Sequence, residues 1–198
     1  MQASSTPDAL WRAQAARTIQ PAAVVCRDVG RGDRLSHCSF RVAPGVRLLV
    51  VADPPEAGSL LLRILAGLSR PSTGRVVIAG IEGADAARHG ARVAYVGPEP
   101  ALHGWMTPTE AVRLAASLID LAPDEAIRRT REALTSVGVE PADAGRSLRQ
   151  VGPAIAERTA LAAALVGEPE ILLLDEPLRS VAADERAAIL RLRDRRRR

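Results

Sequence analysis

A chain of 198 residues with 47% apolar content can bury one sizeable core, which argues for one compact domain. Two Trp, one Tyr and one Phe are the whole aromatic complement, so that core must be built from Leu, Val, Ile and Ala. All 27 basic residues are arginine, and the net charge of +4 is concentrated at one end: residues 191–198 hold six arginines and one aspartate, +5, which leaves the body at −1. No run in residues 1–20 is apolar enough for a signal peptide or a spanning helix, and Cys26 and Cys38 have neither disulfide-framework nor metal spacing. These features exclude a secreted disulfide scaffold and a membrane-spanning protein, and predict a cytoplasmic location with reduced thiols. His37, His89 and His103 are scattered over expected loops and edges, which argues against a shared metal site.

Residues 1–21 read as an N-terminal extension, with a short helix from Pro7 to about Ile19 in which Trp11 folds back on the body or anchors a partner. Val24–Cys26 and Phe40–Val42 read as strands of an antiparallel edge subdomain, joined through the Gly30–Asp33 turn. Val46–Val51 is a short apolar run expected to form a strand. It leads through Ala52–Ser59 to an apolar helix over Leu60–Ala66 that Gly67 stops. Val76–Ile78 and Val93–Val96 read as further strands. Thr107-Pro108-Thr109-Glu110 is a capping box with proline at the first helical position, so a helix should run to about Ile119. Pro123 opens another helix that Gly138 ends, and Pro153 opens one that ends at Gly167. Ile171–Leu174 reads as a buried parallel strand ending in Asp175 and Glu176.

A strand, a loop and then a helix is the setting of a phosphate-binding loop, which uses glycines to aim backbone N–H groups at phosphates and a lysine to reach the outer ones. Ala52-Asp53-Pro54-Pro55-Glu56-Ala57-Gly58-Ser59 keeps the setting and lacks this chemistry: the prolines remove donors and the two carboxylates face an anion. The two prolines predict an extended stretch over 53–56, with Gly58 turning the chain into the helix and Ser59 or Asp53 capping it.

Leu61-Leu62-Arg63-Ile64-Leu65-Ala66-Gly67-Leu68, Gly74–Gly80, Val93–Val96 and Gly167-Glu168-Pro169-Glu170-Ile171-Leu172-Leu173-Leu174-Asp175-Glu176-Pro177 together resemble the ATP-binding cassette family, the nucleotide-binding subunits of ABC transporters. Within it, Val151-Gly152-Pro153-Ala154-Ile155 is similar to the Leu-Ser-Pro-Gly-Met variant of drug and haem exporter cassettes. The resemblance implies an α/β P-loop NTPase-like sandwich over residues 22–190, with an N-terminal antiparallel β subdomain and a helical insertion over 107–150 that docks on a membrane subunit. An Arg-rich tail over 191–198 follows, and the C-terminal strands are lacking. In the family, a strand carrying the switch histidine lies between the phosphate-loop strand and the Walker B strand. That histidine would fall beyond residue 198. Those two strands would then pair directly, be bridged by another chain, or leave an imperfect sheet and a marginal monomer.

Carried over residue by residue, the resemblance puts the Walker A lysine at Gly58 and its glycines at Ala52, Pro55 and Ala57. Gly58, Ser59 and Leu60 are then a degenerate nucleotide-binding set, and Ser59 with Asp175 a vestigial magnesium pair. Glu176 is a vestigial general base. The Q-loop glutamine is replaced by Pro98, the signature serine by Gly152 and the D-loop aspartate by Ala182. No aromatic residue near Arg31-Gly32 is available to stack on adenine. Charge-assisted hydrogen bonds contribute roughly 1.5–3 kcal/mol each, so losing the lysine and two or three donors removes on the order of 5 kcal/mol. At about 1.4 kcal/mol per decade, that is at least a thousandfold in ATP affinity.

The resemblance therefore implies an ABC ATP-binding-subunit-like protein without ATP hydrolysis, a structural or regulatory partner of an ABC permease or an intact ABC ATPase subunit. No cofactor is expected, although ATP and magnesium belong to the site if the family activity persists. Two alternatives stay open: an active exporter ATPase, and a truncated product of a decaying gene. Arg195–Arg198 suit anionic lipid, nucleic acid or a solvated helix end, of which the solvated end and the anionic membrane surface are expected ahead of nucleic acid.

Overall fold

The computed structural model describes residues 22–83 and 85–192. The expected N-terminal helix, Trp11 and Arg195–Arg198 lie outside these residues. Alternating apolar residues build β1 (Val24–Arg31) and β2 (Leu35–Val42), which pair antiparallel with Cys26 opposite Phe40. β3 (Thr73–Ile78) joins the other side of β1, and the two-residue β4 (Ile81–Glu82) closes a sheet of order β2-β1-β3-β4. The inward residues Val24, Cys26, Val76 and Ile78 are buried, and α1 (Pro55–Leu65) lays Leu61, Ile64 and Leu65 against them.

The same core takes Ile171 and Leu173 of β6 (Ile171–Leu174), which pairs in parallel with β5 (Val93–Val96) in a two-stranded sheet. Between β4 and β5 the chain forms α2 (Ala86–His89) and a 3-10 turn, Gly90–Arg92. His89, expected on a loop or edge, is instead 2% exposed within α2.

A second core belongs to the helices. α3 (Pro108–Ser117) starts at the expected capping box, Thr107 Oγ1 accepting from the Glu110 N–H while Glu110 accepts from the Thr107 N–H. It packs with α4 (Pro123–Ser136) and α7 (Pro153–Leu165) around Val112, Ala116, Leu134, Val137, Leu161 and Ala162. Two one-turn helices, α5 (Pro141–Ala144) and α6 (Leu148–Val151), connect α4 to α7. After β6, α8 (Ala183–Leu192) adds Ile189 to this core.

Two expectations fail around the loop. Val46–Val51 is not a strand: among the described residues Leu48–Val51 form no backbone hydrogen bond, and Val46, Leu48, Leu49 and Val51 are 53–85% exposed. A strand needs a ladder partner. Among the described residues β6 pairs only with β5, so residues 46–51 and β6 do not pair directly. The helix also starts five residues earlier than its apolar pattern suggested, at Pro55, with Pro54 in the extended N-cap position and a cis Asp53–Pro54 bond. Its fixed φ suits proline to the first helical turn, so Pro55, Glu56 and Gly58 are helical rather than extended, and neither Asp53 nor Ser59 caps the helix.

Candidate functional site

The parallel pairing of β5 and β6 decides which side chains meet. Tyr95 lies opposite Leu173, so Tyr95, Leu173 and, two residues on, Asp175 share the face covered by α1. The ladder runs one bond further, from the Asp175 N–H to the Val96 carbonyl at 2.9 Å, and this fixes the carboxylate at the strand end. α1 is held on that face by Leu61, Ile64 and Leu65, which puts Ser59 in its second turn over Asp175.

Ser59 Oγ donates to Asp175 Oδ1 at 2.9 Å, and Tyr95 OH donates to Asp175 Oδ2 at 2.9 Å. The sequence placed the first contact and missed the second. A lone tyrosine one residue before the end of a strand parallel to the Asp175 strand was the available signal, since a buried phenol needs a partner. Asp175 is 5% exposed, and both its oxygens are engaged by hydroxyls. Burial and the bond to Asp175 push the Tyr95 phenol up to about 12, with the Arg63 guanidinium pulling slightly the other way.

Glu176 does not join this cluster. It takes a left-handed conformation, φ 46°, its side chain is 59% exposed, and its nearest cation is Arg179 at 3.6 Å. Gly58 and Leu60 are half-buried in the first turns of α1; Leu60 packs on the apolar core, and a Cβ on Gly58 would sit 3.4 Å from the Ala52 methyl. Asp53 and Glu56 stand exposed at the same helix start. Pro98 and Glu99 are exposed beyond β5, and Gly152 is the left-handed residue preceding α7, φ 82°. Glu157 of α7 accepts from both the N–H and the hydroxyl of Ser180, both at 2.8 Å, tying the Gly152 region to the segment after Glu176.

Comparison with known proteins gives the family. A family model described as "ABC transporter" matches residues 35–179. The chain belongs to the ABC transporter family. It is 33% identical to the aliphatic sulfonates import ATP-binding protein SsuB of Corynebacterium glutamicum, over 84% of this chain and 65% of that protein. It is 35% identical to the taurine import ATP-binding protein TauB of Pseudomonas aeruginosa, over 77% of this chain and 58% of that protein. An uncharacterized ABC transporter ATP-binding protein of Nostoc is 32% identical over 73% of the chain and 43% of its own length. The cassette thus spans about half the length of the curated relatives it matches.

Its fold matches the dimeric ATP-binding cassette MJ0796 in a post-hydrolysis state with ADP and Pi, at TM-score 0.75 and 21% identity over 85% of this chain and 80% of that one. It also matches cbiO1 of Clostridium perfringens, part of the transporter complex cbiONQ, at TM-score 0.74 and 21% identity over 89% of this chain and 74% of that one. Two of the relatives named here, SsuB and TauB, carry import names, so the exporter likeness of Val151–Ile155 rests on that motif alone.

The residues present can be tested against a magnesium nucleotide. Ser59 and Asp175 retain a hydroxyl and a carboxylate in contact, a donor set suited to magnesium. The phosphate end does not fit: no lysine is present, Pro55 has no N–H, the Ala57 N–H is turned back onto the Pro54 carbonyl at 3.1 Å, and Asp53 and Glu56 bring negative charge.

Proposed function

We propose that this cassette is an ABC ATP-binding-subunit-like protein that does not hydrolyse ATP and acts as a structural or regulatory partner within a transporter complex. The observation that carries the reading is the start of α1, where prolines and two carboxylates stand in place of a phosphate cradle. A γ phosphate that is not held gives Glu176 no water-attack geometry to assist. The cassette unit is taken as residues 22–190, and its partners are a permease, an intact ATPase subunit, or both. The helical subdomain is the surface offered to a membrane subunit, supported by the exposure of Leu114 on α3, of Leu118 at its C-terminal cap and of Trp105 just before it. No helix among the described residues is long and apolar enough to cross a membrane. We place its work on the cytoplasmic side, peripheral to the bilayer, with the arginine-rich sequence of 191–198 suited to anionic lipid.

Isothermal calorimetry with ATP and magnesium tests the reading: binding weaker than about 1 mM is expected, because an ordinary micromolar site loses at least three decades. A micromolar constant, together with an ATPase rate that drops in Glu176→Gln, would establish the second reading, an active transport ATPase. The retained Asp175-Glu176 pair and the Ser59–Asp175 contact are what favour that alternative.

A further inference from the structure

The face of the antiparallel sheet turned away from α1 carries a row of arginines. Val24, Cys26, Val76 and Ile78 point into the core, so the residues alternating with them point outward. The register sets Arg27 of β1 directly opposite Arg75 of β3, and Arg41 of β2 opposite Val25, one step along β1 from Arg27 on the same face. All three arginines are exposed, and among the described residues none of them has a side-chain hydrogen bond or an ion pair. Like charges directly opposed across a sheet destabilise it, so this arrangement lacks a counter-charge in the isolated protein.

The neighbouring acids do not supply it. Asp28, in the bulge beside Arg27, is held by His37 Nδ1 at 2.7 Å, and Asp85 accepts from the Ala87 N–H at the start of α2. Glu82, opposite Val77, forms no ion pair among the described residues, including with Arg75, two positions away along β3. Beyond Arg75 lies a shallow groove of about 360 Å³ in which Arg70 and Arg75 face Glu82 and Asp85, so its charges balance and the basic row ends at Arg75.

We propose that this outer face is a docking surface for an acidic, extended segment of a partner polypeptide, whose carboxylates pair with Arg41, Arg27 and Arg75. The guanidinium fork is matched to carboxylates. Arg41 and Arg75 are two strand spacings apart across the sheet and offset by two residues along it, about 12 Å, which an extended peptide covers in about four residues. Single-stranded nucleic acid is disfavoured because such sites stack bases on aromatic rings. Here the face offers Val25, Val77 and Ser39, while Phe40, opposite Cys26, is on the other side. A phosphate-dense bilayer would also have to meet Glu82 and Asp28, which an acidic peptide of chosen spacing avoids. The inference is independent of the nucleotide site.

The test measures fluorescence anisotropy of a fluorescein-labelled (Glu-Ser)4 peptide, whose carboxylates share one face when extended, against the full chain at low and physiological salt. Arg195–Arg198 are replaced by Gln in every sample so that the basic tail does not contribute. The Arg27→Gln/Arg75→Gln double variant is expected to lose at least tenfold in affinity, and Arg113→Gln, an exposed arginine on α3, less than twofold. Without peptide the double variant should melt at a higher temperature than the parent, since the opposed charges are gone; with peptide only the parent should be stabilised. Equal losses in Arg113→Gln and the double variant, an unchanged melting temperature, or Arg27- and Arg75-dependent binding that prefers 7:3 phosphatidylcholine–phosphatidylserine vesicles or a 20-nucleotide oligo-dT would overturn the proposal.

Discussion

Replacing Tyr95 by Phe removes one hydroxyl and leaves every carbon in place, so it isolates the bond to Asp175 Oδ2. That oxygen belongs to a carboxylate only 5% exposed, whose other oxygen is already taken by Ser59. A hydrogen bond to a charged group contributes roughly 1.5–3 kcal/mol, and a buried acceptor left bare costs about 1–3 kcal/mol by itself. We expect Tyr95→Phe to destabilise the protein by about 2 kcal/mol. At about 2–4 °C per kcal/mol for a chain of this size, the melting temperature should fall by roughly 4–8 °C at neutral pH.

The alkaline limb supplies a second readout with a definite sign. The folded phenol titrates near 12 while an unfolded tyrosine titrates near 10, so its contribution is intact below pH 10 and is lost as pH rises from about 10 to about 12. In Tyr95→Phe that portion of the loss disappears. The Cys26 thiol, pushed up to about 12 chiefly by burial, loses its contribution between about 9 and 12 in both proteins. Scanning calorimetry from pH 7 upward reads both effects. A variant that melts within 1 °C of the parent and keeps the full alkaline limb would refute the argument that Tyr95 holds Asp175.

Leu49 and Val51 are 84% and 85% exposed, so the Leu49→Lys/Val51→Lys variant should keep its stability within about 0.5 kcal/mol and aggregate less, as read by thermal melts and light scattering. A fall of more than about 4 °C would show that residues 46–51 are buried in solution. Gly67, φ 76°, would place a Cβ 2.2 Å from the Ala86 nitrogen, whereas Gly45, φ 78°, has open space around it. Left-handed backbone alone costs about 1–2 kcal/mol and overpacking about 1–3 kcal/mol more, so urea unfolding should show Gly67→Ala costing about 3 kcal/mol and Gly45→Ala about 1 kcal/mol; equal costs would contradict the close approach of α2 to the end of α1.

Local signals were legible where neighbours in sequence settle the structure. The Thr107–Glu110 capping box, the proline starts of α4 and α7 and the apolar run of β6 all form as their residues dictate, because a cap or a proline acts within one turn. Val46–Val51 failed for the opposite reason: its apolar pattern is strand-like, but a strand exists only through a ladder partner, and no local residue can provide one. The start of α1 failed in a smaller way. Two consecutive prolines were read as barring a helix, yet Pro55 sits where a first-turn N–H has no partner to lose. Within the site, Ser59 and Asp175 could be paired through the family motif, while Tyr95 required the β5–β6 register, which brings residues 95 and 175 together across 80 positions of chain. His89 was misplaced because a four-residue helix leaves no periodicity to read; among the described residues its two ring nitrogens have no hydrogen-bond partner.

Why the fold tolerates the altered loop follows from how α1 is held. Its three buried residues, Leu61, Ile64 and Leu65, lie after Ser59 and pack on Val24, Cys26, Val76, Ile78 and Leu173, none of which belongs to the 52–58 segment. Fully burying an aliphatic side chain contributes about 1.5–3 kcal/mol, so this face alone outweighs anything the loop supplies to the fold. A phosphate cradle acts on a ligand, and its glycines and lysine can be replaced without loosening the helix behind them. The Ser59–Asp175 contact persists on the other side of the same division. It joins two rigid elements, α1 and β6, so packing that has nothing to do with nucleotide keeps the hydroxyl and the carboxylate together. Preservation of that pair is therefore weak support for retained magnesium chemistry, and the loop, whose residues the core does not constrain, is the better indicator of what the cassette still binds.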